Sequence, residues 1–133
     1  MFKDFPEIGK PLSAEHINFL KIFTKSCRKS IIEMVVNANS GHPGGSLSCI
    51  DYLALLYCFI ISQTGEKIAI SNGHISPGVY STLAELGYIP KKDVIETFRK
   101  IGSIYEGHIT SHVPGVWYGT GPLGIGVSVS TAF

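Results

Sequence analysis

The 133-residue sequence predicts an α/β fold: helices together with part of a parallel sheet, left incomplete within the chain. Three observations predict it. Four stretches carry helical periodicity or helix-boundary residues, and one short apolar run, residues 67–71 (KIAIS), reads as a buried strand ending at the Asn72-Gly73 break. Helix–strand alternation of this kind builds parallel sheets. A buried strand must hydrogen-bond to neighbours, yet no second strand is convincing, so other polypeptide is expected to finish the sheet. A missed strand would lie near the end of the chain, where Ile125, Val127 and Val129 alternate with Gly126, Ser128 and Ser130.

Residues 1–12 read as an extended lead-in closed by Pro11 and Leu12. Ser13 stands where a helix N-cap would, with His16 in place of the Glu or Gln of a capping box. A helix then runs to about Asn37. Its buried stripe is Ile17, Leu20, Phe23, Cys27, Ile31, Met34, Val35 and Ala38, and Lys21, Lys25, Arg28 and Lys29 lie largely off it as a solvated face. Residues 39–45 break the helix with Asn, Ser, Gly and Pro. A second helix starts near Ser46 or Ser48 and runs to Ile61; it is apolar nearly all round and should be buried. After a turn at 63–66 and the strand at 67–71, residues 76–86 read as a helix with Pro77 in its first turn and Gly87 closing it. Residues 90–100 read as another, acidic early and basic late. Residues 102–120 are loop. The chain, 1–133, is one partial domain.

Only 16% of the residues are charged, against roughly 25% in an average soluble domain, and the net charge is +1. Disordered chains are far more polar, and proteins that bind bulk nucleic acid or anionic membranes need a basic excess. These classes are excluded. The N-terminus lacks a signal or transit pattern, and the apolar run 50–61 is short of the about 20 residues that span a bilayer. Cys27, Cys49 and Cys58 are odd in number and lack C-x-x-C spacing, so they read as reduced, mostly buried thiols of a cytoplasmic protein.

The charges are missing from three stretches, 34–50, 68–84 and 107–133. These hold His42, His74, His108 and His112 among Gly, Ser, Pro and Thr. Loops of that composition rarely form a core alone, because their backbone polar groups need partners. A binding site, a subunit interface or both explain such histidines better. Residues 119–124 also match G-x-G-x-x-G, but no clear strand precedes them and no acidic residue follows, so the dinucleotide reading is weak.

Taken in order, Ser40-Gly41-His42-Pro43-Gly44-Gly45-Ser46-Leu47, then Ser71-Asn72-Gly73-His74, then Gly107-His108, then Thr120-Gly121-Pro122-Leu123-Gly124 resemble the opening half of transketolases. The resemblance covers about residues 14–133 and is greatest to the N-terminal subunit of the split, two-polypeptide form. It implies a thiamine diphosphate-binding fold, here incomplete, and transfer of a two-carbon ketol unit from a ketose phosphate to an aldose phosphate. By resemblance, His42 and His108 are the catalytic histidines over the reacting carbons. His74 contacts the cofactor, and Gly121, Pro122 and Leu123 line it. His16 is a helix-surface residue and His112 has no counterpart. The family's Mg²⁺ ligands, on a Gly-Asp-Gly segment and a downstream Asn, have no match before residue 133. The resemblance therefore implies a partner, either a C-terminal transketolase subunit or the remainder of a longer chain, in an oligomer that acts on sugar phosphates and not on nucleic acid or membrane. The chain alone is expected to bind the cofactor weakly and to be inactive. Rival readings are another thiamine diphosphate enzyme, like deoxyxylulose phosphate synthase or a 2-oxo-acid dehydrogenase, and a catalytically dead interaction module. The pattern departs from the family at Ile109-Thr110, Trp117, Ile125 and the 63–67 approach to the strand.

Overall fold

The computed structural model describes residues 5–122 and 124–132. Helix α1 (Ala14–Ala38) starts at Ser13, whose hydroxyl accepts from the His16 N–H at 3.3 Å while the His16 Nδ1 accepts from the Ser13 N–H at 3.0 Å. An imidazole thus completes a capping box that Glu or Gln usually completes. Asn39 ends the helix in the left-handed conformation (φ 47°), its N–H donating to Val36 O at 3.0 Å. The central part of the expected stripe is the buried part: Phe23, Cys27, Ile31 and Met34 lie in the core, Leu20, Val35 and Ala38 are half-buried, and Ile17 is exposed.

Helix α2 (Pro43–Leu55) begins three residues earlier than Ser46, because proline's fixed φ and missing N–H suit the first helical position. It continues through a π-helical segment (Leu56–Ile61) into a final turn, α3 (Ser62–Thr64), which Gly65 closes at φ 66° with its N–H on Ile61 O. Within the combined run, Pro43–Thr64, an 18-residue window reaches a mean hydropathy of 1.7. By length and composition alone it could cross a bilayer, a test that core helices of soluble proteins also pass. Only one side is buried, through Ile50, Leu53, Ala54 and Cys58, while Tyr52 on the other is 63% exposed.

A 3₁₀ turn (Gly73–Ile75) leads into α4 (Ser76–Glu85), the central helix, in which every residue from Ser76 to Ala84 is buried. α1, α2 and α4 pack on one another, and α5 (Lys91–Thr97) packs on α1 and α4. α2 and α4 meet where Gly78 faces Ser46: a Cβ on Gly78 would lie 3.3 Å from the Ser46 Cα. α5 stops short of Lys100 because Phe98 leaves the helical conformation and buries its ring edge-on to Tyr80, centroids 6.3 Å apart. The long loop that follows is not peripheral, since Tyr105, Ile109 and Val113 complete the core.

The expected α/β arrangement with part of a parallel sheet is overturned. The described residues form helices, turns and loops, and no strand is found among them. Residues 67–71 have strand-like sequence, but a strand exists only as one side of a hydrogen-bonded ladder, and no ladder forms with any described residue. Ile68, Ala69 and Ile70 instead lie half-buried beside Tyr52, Leu53 and Leu56 of the long helix. The alternation after Gly124 is likewise no strand. Residues Ile125–Thr131 form helix α6, entered through Gly124 in the left-handed conformation (φ 86°), and among its residues only Gly126 is buried.

Candidate functional site

Three of the four loop histidines converge. His42 sits at the N-cap of α2, His74 in the 3₁₀ turn before α4, and His108 in the loop after α5. The His42 and His74 rings meet edge to face with centroids 4.7 Å apart, as do those of His74 and His108. His74 is therefore the middle member of a contiguous row, and all three side chains are open to solvent. His112 stands apart, exposed, beside the turn in which the Val113 N–H donates to Thr110 O.

The row is held from beneath by α4. Ser76 and Tyr80 lie four residues apart, hence on one face of that helix, and both are fully buried. The Ser76 hydroxyl donates to Gly107 O at 2.8 Å and the Tyr80 hydroxyl to His108 O at 2.9 Å. Two consecutive carbonyls of the histidine loop are thus fixed by one helix. Burial pushes the Tyr80 phenol up to about 12, so it stays a donor at any physiological pH. Gly73 supplies the close approach between His74 and His108. A Cβ there would lie 2.8 Å from the His108 Cδ2 and would collide with the Thr120 hydroxyl.

Thr120 brings in the last motif. Its N–H and hydroxyl both donate to Ile109 O, at 2.7 and 3.2 Å, which anchors the 119–121 segment beside the His108 loop. Gly121 and Pro122 follow, both exposed, with open space over the Gly121 Cα; Leu123 lies outside the described residues. Sequence reasoning did not single out Ser76 or Tyr80, and it held Gly73 only as a chain break and a member of the His74 motif. A Ser and a Tyr at helical spacing carry no signal until the loop they bind is known.

This constellation offers imidazoles, main chain and hydroxyls around an open face, which fits a planar heteroaromatic ring and the hydroxyls of a sugar. No group of three His, Cys, Asp or Glu side chains that could hold a metal is found among the described residues. The thiols are not part of the site. Cys27 and Cys58 are buried, and burial pushes both up to about 12, while Cys49 is half-buried and also raised.

Residues 21–133 match the family model for the transketolase thiamine diphosphate binding domain, and the chain belongs to that family. Among its relatives is an apulose-4-phosphate transketolase subunit of Phocaeicola vulgatus, 36% identical over 121 residues, which are 85% of this chain and 43% of that protein. The subunit of the same name from Actinobacillus succinogenes is 36% identical over 118 residues (80% of this chain, 42% of that one). The transketolase of Treponema pallidum is 33% identical over 123 residues (86% and 19%). The chain thus spans less than half the length of the curated relatives it matches.

Proposed function

We propose that this chain contributes the histidine-bearing half of a transketolase active site, one that moves a two-carbon ketol unit from a ketose phosphate to an aldose phosphate. The observation that carries the reading is the row His42–His74–His108, drawn from three separate segments of a chain in this family. Thiamine diphosphate, when bound, supplies the carbanion chemistry that breaks and makes a carbon–carbon bond beside a carbonyl. The protein's residues do the rest. His42 and His108, the outer members, bind substrate hydroxyls and carry protons at the reacting oxygens, which suits a ring able to donate or accept near neutral pH. His74, between them, contacts the cofactor, and the main chain at Gly121-Pro122 lines it, the absent Cβ of Gly121 leaving room for a flat ring.

The same reading requires further polypeptide. The 133 residues contain no Gly-Asp-Gly sequence, and a diphosphate needs a hard cation and oxygen ligands to hold it. Residues outside these 133, in a continuing chain or a partner polypeptide, would supply those Mg²⁺ ligands. Two of the relatives are named as individual subunits of a transketolase, which favours a partner polypeptide. The test is ketol transfer by the assembled protein with Mg²⁺ and thiamine diphosphate, with the isolated chain as control. Transfer should require the assembly and fall at least about 100-fold in His108→Ala, the scale of a lost acid–base group. An unaffected His108→Ala enzyme, or an assembly that uses a pyruvate donor alone, would refute the reading.

A further inference from the structure

The chain on either side of Gly121-Pro122 is attached to the 67–71 segment at two points. Upstream, the Lys67 ammonium lies over the Trp117 ring, 5.1 Å from its centroid and within cation–π range. Downstream, the Gly126 N–H donates to the Ser71 hydroxyl at 3.2 Å, and a Cβ on Gly126 would lie 2.7 Å from the Ser71 Cβ, so the two backbones approach closely. Lys67 and Ser71 are four residues apart, which puts their Cα atoms at most about 14 Å from each other. The nine-residue step from Trp117 to Gly126 could reach about 30 Å if extended. It has length to spare, so it bows between its two attachments, with Gly121-Pro122 midway and exposed. The shorter segment is itself supported, since Ile68, Ala69 and Ile70 lie half-buried beside Tyr52, Leu53 and Leu56. Its Lys67 end closes a hollow of about 130 Å³ walled by Tyr57, Ile61, Tyr88 and Trp117. That is below the roughly 300–1,000 Å³ of ligand pockets, so the hollow is a joint between segments and not a second binding site. Glu66, the acidic neighbour, is exposed, and Lys67 forms no ion pair with it or with any other described residue.

We propose that Lys67 and Trp117 are positioning residues for the turn at Gly121-Pro122. The ammonium–indole contact and the Ser71–Gly126 bond clamp the turn at both ends, and the 67–71 segment serves as its splint. The splint runs on through Asn72 into the Gly73–Ile75 turn that carries His74. One short piece of chain therefore sets the distance between the middle histidine and the turn that faces it, the two elements between which a flat ring would lie. Lys67 and Trp117 act through that spacing and do not touch the ligand. The inference rests on the ketol-transfer reading for what the turn lines, and not for the clamp itself.

The test begins with the 133-residue chain and needs no activity. Trp117 is its single tryptophan, so the emission reports on the contact directly. Lys67 is exposed, and Lys67→Met keeps a long side chain without the charge. It should change the Trp117 emission and speed hydrogen exchange at the Tyr118, Gly119 and Gly121 amides about two- to fivefold, the scale of an exposed cation–π contact, while α4 keeps its protection. Lys67→Arg should restore both. Trp117→Leu should match Lys67→Met in exchange, and the double variant should add nothing to either. In the assembled enzyme, Lys67→Met should raise the thiamine diphosphate concentration for half-activation about two- to fivefold and change KM for ribose 5-phosphate less than about 1.5-fold. Unchanged exchange, additive variants, or equal effects on cofactor and sugar would overturn the proposal. If the wild-type assembly transfers no ketol unit, the functional reading fails, and the clamp stands or falls on exchange in the chain alone.

Discussion

Two segments flank the histidine row, and their sequences are misleading in opposite directions. Residues 102–120 read as plain loop, yet Tyr105, Ile109 and Val113 are buried, and the segment is tied down by Ser76, Tyr80 and Thr120 and by the Arg99 N–H. Residues 67–71 read as a buried strand, yet they form no ladder with the described residues and stay half-open beside the long helix, while α6 reaches them through a single described bond, from the Gly126 N–H to the Ser71 hydroxyl at 3.2 Å. The difference teaches that order in irregular chain comes from satisfied backbone groups and not from apolar pattern. Side chains projecting from a buried helix can satisfy a loop as firmly as a neighbouring strand would.

The largest effect is expected at Tyr80. Tyr80→Ala removes a fully buried ring that packs edge-on against Phe98 and Tyr105, with the latter centroid 5.9 Å away, and deletes the donor to His108 O. It should cost about 3–5 kcal/mol, measured by urea unfolding. Tyr80→Phe isolates the hydroxyl. It leaves a buried carbonyl without its donor, should cost about 1–3 kcal/mol, and should shift the His108 ring resonances more than those of His42. If Tyr80→Phe were as stable as the parent, the loop would be held by apolar contact alone and the contrast would fail.

A smaller effect is expected at Gly73, where the two regions meet. A methyl group there would press on His108 and on the Thr120 hydroxyl. The obstructing atoms are side-chain ends that can move, so Gly73→Ala should cost about 1–3 kcal/mol of stability without unfolding the protein. Its larger consequence is geometric. The His74–His108 ring contact, 4.7 Å between centroids, should open, which a loss of NOEs between the two rings would show. Retention of those NOEs would mean that the row does not depend on the glycine.

How much of this was legible in the sequence follows the same division. The start of α1 was legible because Ser13 and His16 act on adjacent backbone, and its core face was legible as a periodic stripe. The convergence of His42, His74 and His108 was legible only from the order of whole motifs, since nothing in their spacing states that three segments meet. The grip of Ser76 and Tyr80 on the loop was not legible, because each hydroxyl bonds a carbonyl about 30 residues away. The strand at 67–71 was read from its own residues, although strandedness is a property of a pair. An apolar KIAIS run states that the segment is to be covered, and leaves open what covers it.

The smallest effect is expected at Ser71, in the half-open segment. Ser71→Ala removes the described bond between the 67–71 segment and α6. Ser71 is half-buried, and its hydroxyl lies close to the Gly126 backbone, which a Cβ would crowd at 2.7 Å from the Ser71 Cβ. Because the site is partly wet, water can replace the lost partner, and the global cost should be under about 1 kcal/mol. The local cost should be larger than the global one. Hydrogen exchange at the amides of α6 should speed up while those of α4 and of the 105–113 loop keep their protection, since opening one edge of a fold need not open its core. Equal acceleration in both places would show that the two segments are one cooperative unit, and that the half-open edge is as firmly held as the loop under the histidines.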